Sequence, residues 1–129
     1  MTNTRTVQSV GPYARGAGRF ALIVGIAMIL LWAWLLITDD VPDLDTRPLA
    51  MWFHIVGEVA TGIVLIASGW GLLTGTVWAR RLYLVAIGML LLAVTHAIAW
   101  YGGRGEFWMV VAMVMLAVLG VFFAIRAEE

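Results

Sequence analysis

The sequence predicts an all-α integral membrane protein, a four-helix bundle with up-down topology and both termini on the cytoplasmic side (N-in/C-in). Three observations predict it. The chain has 129 residues, 63% of them hydrophobic and 12% charged, and so small a soluble domain could not keep that much apolar surface out of water. Four apolar runs, each near the roughly 20 residues that cross a bilayer core, alternate with short polar breaks. The arginines divide unequally between those breaks.

The elements follow in order. Met1 to Gly18 is polar and rich in small residues and reads as a tail ending at the membrane surface. Span one, about 20–37, carries no charge. It is long for a signal-peptide core and ends in Trp32, Trp34 and Thr38-Asp39-Asp40 without a small-x-small cleavage site. Thr38 to Pro48 contains Asp39, Asp40, Asp43 and Asp45, two prolines and Arg47, which makes it a solvated loop. Span two, about 49–73, is interrupted only by His54 and Glu58 among ionisable groups. Thr74 to Arg80 is the next turn, span three is about 82–101, Gly102 to Glu106 turns the chain again, and span four is about 107–125. One membrane domain, residues 1–129, leaves no room for a soluble one.

Orientation follows from the basic residues. Arg5, Arg15, Arg19, Arg80, Arg81 and Arg126 share one side of a four-span chain, and Arg47 and Arg104 the other. The excess side is the cytoplasm, here of a bacterial inner membrane. A periplasmic reporter fused after Asp43 is therefore expected to be active, and one after Thr76 or Glu129 silent; activity at Glu129 would sink the four-span topology.

Several functions are excluded by what is missing. Zero net charge argues against nucleic acid as a partner. The chain has no cysteine, which removes thiolate metal sites and disulfide exchange. No nucleophile with a base and no phosphate loop is present, so independent catalysis is not expected. The partners the sequence implies are the lipid bilayer and a membrane protein or a second copy.

Charged groups in a span cost about 2.5–3.5 kcal/mol at the centre on insertion scales and need a reason. Three ionisable residues lie well inside the spans: His54, Glu58 and His96. His54 and Glu58 are four apart and share a helix face, which continues through Thr61 and Ser68. Gly57, Gly62 and Gly69 flank the stripe and would admit a close neighbour, and Gly18 and Gly25 mark a close contact on span one. His96, on the antiparallel third span, sits five residues before Tyr101 as His54 sits five after Leu49. Both histidines thus lie about 8 Å below the outer surface and can meet if the faces turn together.

Four readings of His54, Glu58 and His96 stay open. They can form a structural polar cluster, bind a transition metal with help from Asp39 or Asp40, hold haem b between the two histidines, or form part of a proton or ion path. Met109, Met113 and Met115 do not share one face, which speaks against a copper conduit.

The stretch from Glu58 to Leu92, EVATGIVLIASGWGLLTGTVWARRLYLVAIGMLLL, has an early acidic residue, a Gly- and Leu-rich run, a short Gly turn and an Ala-Arg entry into the next helix. In these features it resembles the second and third helices of DoxX-like small membrane proteins. The resemblance implies a four-helix fold and an accessory or assembly subunit of a membrane redox complex, such as those handling quinones or oxidative stress. It implies a role for Glu58 alone.

Overall fold

The computed structural model describes residues 11–41 and 44–126. Four helices fill them: α1 (Pro12–Ile37), α2 (Pro48–Thr74), α3 (Ala79–Gly103) and α4 (Phe107–Arg126). Each is long and apolar enough to cross a membrane. They pack α1 on α2, α2 on α3, α3 on α4 and α4 back on α1, an up-down ring. One end carries the α1–α2 loop and the α3–α4 turn, and the other, the termini end, carries the start of α1, the α2–α3 turn and the end of α4.

The last three spans lie within three residues of their expected limits, whereas α1 starts at Pro12 instead of near Phe20. Pro12 occupies the first helical turn, where its missing N–H costs nothing. The small residues that read as a flexible tail are packing residues. A Cβ on Gly16 would stand 2.6 Å from the Phe123 ring of α4, and one on Gly18 would stand 2.8 Å from Leu73 of α2. Expectations for residues 1–10, for Asp43 and for the last three residues fall outside the described residues.

Helices α1 and α2 meet through glycine. Gly18 lies opposite Gly69 and Gly25 opposite Gly62, seven residues apart on each side of the contact. A Cβ on Gly25 would come 2.7 Å from the Gly62 carbonyl oxygen, and one on Gly69 would come 2.7 Å from that of Gly18. Backbone on backbone at this range brings many dispersion contacts into play, the main attraction between helices in lipid. Gly57, expected on the same seam, has nothing within 4 Å.

The buried side chains gather toward the termini end. Ala17, Ala21, Leu65, Leu72, Ala79, Tyr83, Ala86 and Ile87 form most of the core, with Phe20 and Phe123 packed against it. Tyr83 is fully buried, and its hydroxyl donates to the Gly120 carbonyl at 3.1 Å, tying α3 to α4. Toward the loop end, among the described residues, only the side chains of Trp32, Ile55, Leu90 and Val94 are comparably covered.

The first three helices close alike. Asp39, Gly75 and Gly105 adopt positive φ (57°, 71° and 75°). At each, the next N–H reaches back to the carbonyl five residues earlier: Asp40 to Leu35 (3.0 Å), Thr76 to Gly71 (2.9 Å) and Glu106 to Tyr101 (3.0 Å). This Schellman closure satisfies the last helical carbonyls and favours glycine at the left-handed position. Gly75→Ala is expected to cost about 1 kcal/mol of stability. Asp39→Ala should cost much less, because a Cβ is already accommodated there. Thermal melts in detergent check this; equal losses at the two positions would refute it.

Candidate functional site

The inward stripe of α1 runs Ala17, Ala21, Gly25 and Trp32, all buried. Its last member decides the site. Trp32 is 6% exposed, and a buried indole N–H requires an acceptor. It donates to Oε2 of Glu58 on α2. One turn before Glu58, Nε2 of His54 stands 3.6 Å from the same oxygen. The His54 and Trp32 rings meet edge to face at 5.7 Å between centroids. Two groups, one from α1 and one from α2, thus converge on one carboxylate, which meets an indole N–H on one side and an imidazole on the other.

The cluster is partly open. The His54 side chain is 34% exposed and that of Glu58 17%. Farther along α2, Thr61 and Ser68 are buried, as the stripe predicted. Their hydroxyls return to their own helix, Thr61 to the Gly57 carbonyl (2.8 Å) and Ser68 to that of Leu65 (3.1 Å). They hold no chain of hydrogen bonds to the termini end. On the loop side, Tyr101 of α3 lies within electrostatic reach of Glu58, Glu106 and Arg104. Arg104 in turn stands 3.8 Å from Glu106 and 4.5 Å over the Trp100 ring.

His96 does not join this cluster. It is exposed and makes no hydrogen bond, ion pair or ring contact with another described residue. The reason is rotational. The packed face of α3 runs Tyr83, Ile87, Leu90 and Val94, and at about 100° per residue His96 points about 200° away from Val94. Tyr101 falls back on the packed face by the same count. Meeting requires the two faces to be turned together, and they are not. Among the described residues, no group of three or more His, Cys, Asp or Glu side chains is placed to hold a metal ion. A metal here would take His54 and Glu58 from this chain and complete its shell elsewhere.

Sequence reasoning missed Trp32 and Tyr101 because it used both only to mark where spans end. The signal was available in the spacing. Trp32 continues the Ala17, Ala21, Gly25 stripe, and Tyr101 continues the Leu90, Val94 stripe at helical intervals.

A family model described as a domain of unknown function, DUF8058, matches residues 13–127. The chain belongs to the DUF8058 family. The match begins one residue after α1 does, so the DUF8058 unit includes residues 13–18, the last part of the segment that the sequence alone reads as a tail. It takes in all four helices of this DUF8058 protein except Pro12. No curated protein and no solved structure matches the chain.

Proposed function

We propose that this DUF8058 protein is a small accessory or assembly subunit of a membrane redox complex, acting through Glu58 with Trp32 and His54. We place it in a bacterial inner membrane with both termini cytoplasmic, on the arginine asymmetry. The observation that carries the reading is the partly open Glu58 cluster in the loop half of a bundle whose termini half is closed. A carboxylate beside an imidazole can take up and release a proton. Membrane redox chemistry moves protons with electrons, and a subunit offering such a pair at one leaflet serves a partner without an active site of its own. The likeness of Glu58 to Leu92 to DoxX-like helices supports the same role.

The test is respiration in membranes of a strain lacking the gene. Wild-type chain should restore the lost rate, Glu58→Leu should not, and Glu58→Gln should restore it in part. Full restoration by Glu58→Leu at normal protein levels would overturn the reading. The visible spectrum and metal content of the purified chain test for haem or a metal at the same time.

A proton or ion transporter component is the second reading, favoured by Tyr101 and the Arg104–Glu106 pair, which extend the polar groups from Glu58 to the loop end. It requires flux in liposomes containing this chain alone, which the accessory role does not. The closed termini half weighs for the accessory role.

A further inference from the structure

We propose that a second copy of this chain packs, in parallel, on the face of α3 that carries His96. Val85, Gly88, Leu92, Thr95, His96 and Ala99 are all exposed. Their spacing confines them to an arc of about 100° on one side of the helix. His96 lies seven residues before the end of α3 at Gly103, about 10 Å along the axis. The 25-residue helix is longer than the roughly 30 Å hydrocarbon core, which still leaves the imidazole several ångströms inside it. Lipid tails offer no hydrogen bond there, and no described residue supplies one.

A neutral imidazole has one donor and one acceptor, which makes it complementary to itself. A two-fold axis normal to the membrane sets each residue opposite its own copy at its own depth. Such an axis along this face brings His96 to His96 without requiring any group the chain does not have. Thr95 adds an acceptor, since its hydroxyl proton already goes to the Leu91 carbonyl at 2.7 Å while its oxygen keeps lone pairs. A Cβ added to Gly88 would have nothing within 4 Å, so the partner backbone can approach there as α1 and α2 approach at Gly25 and Gly62. The proposal is independent of Glu58 and its role.

The chain has no cysteine, so single cysteines report contacts cleanly. Leu92→Cys and Ala99→Cys on the face are compared with Leu30→Cys on α1 and Val118→Cys on α4, both also exposed, under mild oxidation in proteoliposomes. Disulfide dimers are expected at the first two and not at the controls. Adding His96→Leu to Leu92→Cys should weaken dimerisation roughly three- to twenty-fold, and His96→Asn should recover most of it. Equal cross-linking at all four positions, none at Leu92 and Ala99, or no effect of His96→Leu would overturn the proposal. In native membranes, a disulfide from Leu92→Cys to a different protein instead of to a second copy would overturn it as well.

Discussion

Gly25→Val and Gly69→Val should each prevent α1 and α2 from packing and leave little folded protein in detergent. At both positions the added side chain meets backbone: the Gly62 carbonyl for Gly25, and the Gly18 carbonyl and Leu22 nitrogen for Gly69. Backbone cannot step aside as a flexible side-chain tip can. Overpacking in a closed core costs about 1–3 kcal/mol for a methylene or two, and here the whole helix must move out, giving up contacts along its length. Gly57→Ala is the control, because nothing lies within 4 Å of it. It should leave the melting temperature unchanged or raise it slightly through helix propensity. Size-exclusion profiles and thermal melts decide the matter. A folded Gly25→Val with a near-normal melt would mean that the α1–α2 interface is looser than these distances require.

The second large effect is expected from the indole and the carboxylate. Trp32→Ala should cost about 3–5 kcal/mol, mostly from the lost volume of a buried aromatic. Trp32→Phe separates the hydrogen bond from that volume, and Glu58→Leu removes its acceptor. A cycle of these two should be non-additive by about 1–2 kcal/mol, the double variant losing less than the sum, because each single change leaves the other group unpaired in a low-dielectric setting. His54 and His96 should behave oppositely. They do not touch, and their alanine replacements should add to within about 0.5 kcal/mol. Strong coupling between the histidines, with none between Trp32 and Glu58, would mean that the faces of α2 and α3 are turned differently from the arrangement described above.

Both experiments bear on how the polar residues of α2 meet α1. The polar residues of α2 announced themselves, and the prediction that His54, Glu58, Thr61 and Ser68 share an inward stripe holds. Their partner across the interface lies on α1, not on α3. His96, an unusual residue type in a span, points to α3, while the group that meets Glu58 is a tryptophan on α1. Tryptophan is common near span ends for reasons unrelated to any site, so its residue type alone said little. Its position in the Ala17, Ala21, Gly25 series was the better signal.

Composition and the order of residues determined the number of spans, their approximate limits, the acidic loop and the two tight turns. Water and hydrocarbon discriminate strongly between charged and apolar groups, so a polar break between apolar runs has one physical outcome. Which face of each helix turns inward was decided only by the tertiary structure. In a soluble bundle the buried face stands out because the other is polar, but in a membrane both faces are apolar, and lipid tails are as apolar as leucine. The choice falls to shape, through glycines that let α1 and α2 approach, and to the few groups that need a hydrogen-bond partner. That is why the start of α1, the place of Trp32 and the outward turn of His96 appeared only once the helices were packed.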